Sequence, residues 1–186
     1  MTLLIIGILL FAGVHLIPAL APGIKAAWLG KMGEGGYKGT FSLLLLASFI
    51  LMTFGWKAVD PAVVYSPPMD IRQPAIALLI LAFILLVVGS RNSRLRQWVR
   101  HPQLTGVLLW AVAHLLMNGD SRSLVLFSGI AIWSCVEMLV ISKREGVWIK
   151  ADVPSAGSEV LTVVIALVAV IAVMFAHPYI SGVAIF

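Results

Sequence analysis

Six apolar runs, each near the length of a membrane-crossing helix, leave this chain very few ways to fold. They cover about 3–22, 39–57, 74–90, 103–118, 122–142 and 158–177. A hydrocarbon core about 30 Å thick asks for about 20 apolar residues per helical span. Inside lipid the backbone must satisfy its own hydrogen bonds, which makes each run a helix. Composition agrees, since the 186 residues are 61% hydrophobic and 11% charged, too few polar groups to coat a soluble domain. The expected fold is therefore all-α, a polytopic membrane helical bundle of about six transmembrane helices, with residues 1–186 as a single domain. The fourth run is short, and Asn118-Gly119-Asp120 joins it so tightly to the fifth that the two are predicted to form a helical hairpin. Ala19-Leu20-Ala21 imitates a signal-cleavage site, but no Lys or Arg precedes it and Pro22 would follow the cut, so a retained first helix is expected.

The net charge of +5 does not point to nucleic acid, because the cations are spread between apolar runs and form no binding face. The first, third and fifth connections hold Lys25, Lys31, Lys38, Arg91, Arg94, Arg96, Arg100, Lys143, Arg144 and Lys150, against Lys57, Arg72 and Arg122 on the other side. By the positive-inside rule both termini face away from the cytoplasm, toward the periplasm in a bacterium. Trp28, Trp56, Trp98 and Trp148 fall near boundaries, where interfacial anchors belong. Gly30, Gly33, Gly35, Gly36 and Gly39 lack the spacing of a phosphate-binding loop and read as a flexible surface loop. The lone Cys135 excludes an internal disulfide or CxxC site; as a thiolate it could ligate iron, but unassisted buried thiols are usually inert packing groups.

His15 and His114 lie inside apolar runs otherwise almost free of ionisable groups. An ionisable side chain in hydrocarbon usually faces the bundle interior and has a task there. Neutral imidazole is a common metal ligand, so two of them on different spans suggest a bound metal, with haem the first candidate. Gly106, Trp110, His114 and Asn118 recur every four residues and form one ridge, either a cofactor-facing surface or a helix–helix contact with one bonded histidine. His15 precedes Pro18, which frees a backbone carbonyl and favours a kink. Counting about 1.5 Å per residue puts His15 about 18 Å from the outer start of its helix and His114 about 18 Å from the inner start of its own, both near the midplane. His101 and His177 each precede a proline at a boundary, where a histidine needs no special partner. Glu137 is the one carboxylate well inside a span and could bond an imidazole, carry a proton or orient toward the interface.

Gly13-Val14-His15-Leu16-Ile17-Pro18 resembles the first-helix motif of NnrU proteins. Arg100-His101-Pro102-Gln103-Leu104-Thr105-Gly106, continuing through Leu109-Trp110-Ala111-Val112-Ala113-His114 to Asn118-Gly119-Asp120, resembles their signature. The likeness spans nearly the whole chain. It implies a bacterial inner-membrane protein associated with denitrification, affecting nitrite and nitric oxide reduction. The pattern is also similar to the plant 15-cis-ζ-carotene isomerase, a haem b membrane enzyme. That likeness implies haem b iron held axially by His15 and His114; Ala111 stands where the relative has a cysteine, which disfavours a ligand swap.

Three functions follow as expectations. The first is a haem b protein serving nitrogen-oxide metabolism by electron transfer, redox sensing or support of a reductase. In it Trp110, Gly106, Asn118, His101 and Glu137 border the cofactor, the last two as hydrogen-bond or proton-carrying groups. The second is a haem-dependent cis–trans isomerase taking a lipophilic polyene from the bilayer. The third is a metal-free assembly factor binding a reductase or electron-transfer partner. A methyltransferase is a minor option, since no further polar pocket suits a nucleotide-like cofactor.

Overall fold

The computed structural model describes residues 1–150 and 152–181. Six helices carry the chain: α1 (Thr2–Leu20), α2 (Pro22–Lys57), α3 (Arg72–Gly89), α4 (Pro102–Met117), α5 (Ser121–Glu145) and α6 (Ala156–Ser181). Among the described residues there is no extended sheet, only an isolated bridge between Val63 and Asp120. Five helices are long and apolar enough to cross a membrane, and α4 is a shorter apolar helix. All six expected runs are thus found as helices.

The glycine-rich connection is not the loop expected from its composition. Helix α2 runs through it, interrupted at Gly33, whose φ of 66° and ψ of 178° are non-helical. Ala26, Ala27, Leu29, Lys31 and Met32 favour helix strongly enough to carry the glycines between them. A Trp28–Tyr37 ring contact at 5.0 Å joins the two halves of the bend, and an exposed Lys38–Glu34 ion pair at 2.6 Å lies within the second half.

Neighbouring helices follow the spatial order α2, α1, α5, α4, α3, α6. Leu4, Ile8 and Met52 knit α1 to α2, with Val125 and Leu126 of α5 against them. Ala111, Phe127, Ile130 and Trp133 form the central cluster where α1, α4 and α5 meet. The outward faces remain apolar, as Leu43, Phe49, Leu139 and Val160 show, because their solvent is lipid. Lipid tails are as apolar as these side chains, so association depends on close packing and interhelical hydrogen bonds. The buried Ser134 supplies one, its hydroxyl donating to the Leu104 carbonyl at 2.7 Å.

The α4–α5 hairpin is present as expected. Asp120 caps α5, accepting hydrogen bonds from the amides of Arg122 and Ser123 at 3.1 and 3.0 Å and from the Ser123 hydroxyl. An extended strap, Ala62–Tyr65, covers the turn: the amides of Val64 and Tyr65 donate to the Gly119 carbonyl, and the Ser121 amide donates to Ala62. With 16 residues α4 is about 24 Å long, shorter than a bilayer core. The strap satisfies backbone groups that this shortfall leaves near the apolar layer. At the opposite end Arg144 donates to the Pro18 carbonyl at 3.0 Å, and Ser93 to Glu159 at 2.7 Å. The two sets of connecting segments therefore lie at opposite ends of the bundle, ten cations at one and three at the other.

Candidate functional site

His114 projects from the last turn of α4. Its Nδ1 lies 2.8 Å from the Trp110 carbonyl one turn earlier, which makes Nδ1 the protonated nitrogen and turns the basic lone pair of Nε2 away from its own backbone. Trp110 flanks the ring at 4.6 Å, Phe127 of α5 stacks on it at 4.5 Å with planes 26° apart, and His177 of α6 lies 6.5 Å away. Asn118 spends its side-chain amide on the His114 carbonyl at 2.9 Å, alongside its own backbone amide at 2.8 Å. It fastens the end of α4 beneath the imidazole. Gly106 is packed against α3, where a Cβ would come within 2.7 Å of the Ala82 carbonyl. The four-residue ridge thus divides: Trp110 and His114 share a site, while Gly106 permits a helix crossing.

Beside His114 a narrow cleft of about 60 Å³ opens between α3, α4 and α6. Ile80, Phe83 and Met174 are among its walls, and Trp110, His114 and His177 are its polar-tipped side chains.

His15 repeats the same local device, Nδ1 lying 2.9 Å from the Phe11 carbonyl. Its ring meets Phe11 at 4.3 Å, Trp133 at 5.0 Å and Phe41 at 5.8 Å. Glu137 lies one turn beyond Trp133 on α5. It is 7% exposed, and its Oε2 and the Trp133 Nε1 are both buried without a hydrogen bond of normal geometry. The two histidines are not level. His114 abuts α5 at Phe127 and His15 abuts it at Trp133, six residues further on, or about 9 Å along the axis.

His101 stands apart, at the cation-rich end. Its Nε2 is 2.8 Å from the Ser142 hydroxyl, and Arg100 reaches Ser142 O at 3.4 Å and Glu145 at 3.7 Å. Burial first, then the Arg100 charge, lowers its pKa from the ordinary 6.5, against the pull of Glu145. The segment fastens the start of α4 to the end of α5. Cys135 is exposed on the outside of α5 and is not the buried packing thiol expected.

The structure brings His177 beside His114, a neighbour that its sequence position alone did not assign. Its signal was position: like His114, it falls in the closing turns of a span that ends on the same side as the Asn118 turn. The donor set has its own consequence. Among the described residues no group of three or more His, Cys, Asp or Glu side chains could hold a metal ion. A bare zinc ion needs three or four protein ligands, so paired imidazoles suit a metal that brings equatorial ligands of its own, as haem iron does. On that chemistry the residues fit haem.

No curated protein and no solved structure matches the chain. The family model described as NnrU protein matches residues 3–185, nearly its whole length. The apolar helices, the Arg100–Asp120 signature and this match agree, and the chain belongs to the NnrU family.

Proposed function

We propose that this membrane protein binds haem b through His114 and serves nitrogen-oxide reduction, by electron transfer, redox sensing or support of a reductase. The observation that carries this reading is the state of His114: Nδ1 committed to a backbone carbonyl and the ring gripped by Trp110 and Phe127. Metal-ligating histidines characteristically donate their second nitrogen in this way, which fixes tautomer and ring direction. His15, with the same local bond, would be the second imidazole to hold the group, as the family resemblance implies. When bound, haem would supply a one-electron iron centre whose potential the ligating residues and the burial around them would tune. Trp110 and Phe127 orient the imidazole, and the apolar walls exclude water. The placement in nitrogen-oxide metabolism and in a bacterial inner membrane rests on what the family resemblance implies.

Optical spectroscopy of protein purified in detergent tests the reading. A Soret band is expected, and His114→Ala should abolish or shift it. A haem-free wild type, or an unchanged band in His114→Ala, overturns it. A strain lacking the gene should consume nitrite or nitric oxide more slowly under anoxia.

The apolar lining of the cleft beside His114 favours a second reading, a haem-dependent cis–trans isomerase of a lipophilic polyene. Co-expression with a 15-cis carotenoid precursor should then change its isomer composition. An unchanged composition under reducing conditions counts against it.

A further inference from the structure

Ten of the cations gather at one end of the bundle, and the carboxylates there are too few to neutralise them. Glu34 pairs with Lys38, and Glu145 with Arg100 and Arg144. Glu159, at the start of α6, accepts from the Ser93 hydroxyl at 2.7 Å and the Arg94 amide at 3.1 Å, which makes it a clasp between α6 and the α3–α4 connection. Arg91, Arg94 and Arg96 crowd into six residues of that connection, and among the described residues no ion pair engages any of them. Arg96 turns toward Arg91, its Nη1 lying 3.4 Å from the Arg91 carbonyl. Glu159 offsets one of the three charges. The excess repels itself, and a bound anion removes that cost.

This connection stands at the end of an apolar groove between α3 and α6. Val88 and Ala166, each 1% exposed, form the floor, and Val163 and Leu167, about half exposed, form a lipid-facing rim. Ser93, Glu159 and Thr162 line the polar end. The groove is narrow, about 60 Å³. Arg91 joins the cationic segment to it: its Nε donates to the Thr162 hydroxyl at 3.0 Å, which sets the guanidinium at the groove's mouth. Trp98 is 82% exposed just beyond, an aromatic of the kind that sits at headgroup level. A cationic mouth on a slender apolar slot fits a molecule with an anionic head and a single hydrocarbon chain to lay down.

We infer that an anionic phospholipid of the surrounding bilayer binds here, its phosphate on Arg91, Arg94 and Arg96 and one acyl chain in the α3–α6 groove. Guanidinium groups hold phosphate through paired N–H donors, and basic pockets between membrane helices take lipid head groups in this way. Because α6 docks chiefly on α3, a lipid laid along that seam fastens the last helix to the bundle.

The test counts the lipid that full-length protein retains in detergent, by native mass spectrometry. The wild type should hold phosphatidylglycerol through washes that remove phosphatidylcholine. Arg91→Gln/Arg94→Gln/Arg96→Gln should weaken that binding by about tenfold or more, and Arg91→Lys/Arg94→Lys/Arg96→Lys, which keeps the charge, should retain most of it. Lys25→Gln/Lys31→Gln/Lys143→Gln removes the same charge from the same end and should leave binding unchanged. Inorganic phosphate, which has no chain for the groove, should not displace the lipid. Equal retention of the two lipids by the wild type overturns the inference without any variant having to fold. Unchanged binding in the arginine-to-glutamine variant overturns it too. Equal loss in the lysine-to-glutamine variant assigns the effect to overall charge, and displacement by inorganic phosphate assigns the site to a free anion; either result ends the lipid assignment.

Discussion

The imidazole of His114 lies nearly parallel to the phenyl ring of Phe127, with centres 4.5 Å apart. The contact comes from adjacent helices of a hairpin, so the tight Asn118–Asp120 turn sets its register. Together with the Nδ1 bond to Trp110 it restricts both rotations of the side chain. Phe127 is also 6% exposed and belongs to the central cluster. Phe127→Ala is expected to lower stability by about 3 kcal/mol through the cavity it leaves. In a haem-loaded protein it should also broaden the axial-ligand spectrum, as the ring gains freedom. Thermal unfolding in detergent and EPR linewidth report the two effects separately.

Trp133 and Glu137 give a sharper contrast. The indole N–H and the carboxylate are each other's polar neighbours, though without a hydrogen bond of normal geometry. Removing one such partner strands the other, and deleting the packed indole adds a cavity. Trp133→Phe should therefore lower stability by about 1 kcal/mol, while Trp133→Ala should cost about 3 kcal/mol. An unchanged unfolding midpoint in Trp133→Phe would show that the pair contributes nothing.

Asp120 fastens the hairpin. Burial works against its ionisation, but hydrogen bonds from the Ser123 hydroxyl and amide, the Arg122 charge and the Arg122 amide outweigh it and hold the carboxyl below its ordinary 3.8. A lowered carboxylate pKa contributes stability that is complete above 3.8 and fades as pH falls toward the folded-state value. Asp120→Ala should cost about 1 kcal/mol as a lost helix cap. It should also remove this acid-dependent component, which a pair of unfolding curves above and below pH 3.8 would reveal.

The opposite sign of group behaves the same way at His101. Its folded pKa lies below 6.5, so the folded state holds it neutral, and its contribution is present above 6.5 and lost as pH falls through the folded value. Mild acidification should loosen the contact between the start of α4 and Ser142. His101→Gln, which keeps a hydrogen-bonding tip, should flatten the response, measured by hydrogen exchange at the α4 N-terminus.

Gly106 is where α3 and α4 touch backbone to backbone. Gly106→Leu should force these helices apart and disturb the cleft wall, reducing any bound chromophore together with thermal stability. Retention of both would mean that α3 yields more easily than its contacts suggest.

The sequence by itself determined the number and order of the helices and which connections carry the cations. Those properties follow from run length and charge placement, and each can be counted along the chain without knowing any neighbour. The glycine-rich stretch escaped that count because one residue, Gly33, bends a helix that its neighbours otherwise sustain. Which histidines share a site was a different kind of question. His15, His114 and His177 are equally visible in the chain, but their depths depend on how short α4 is and where α6 docks. Only tertiary structure decided that His114 meets Phe127 and His177 while His15 turns toward Trp133. Helix formation is a local balance of backbone hydrogen bonds, whereas ring-to-ring distance is set by packing between helices far apart in sequence.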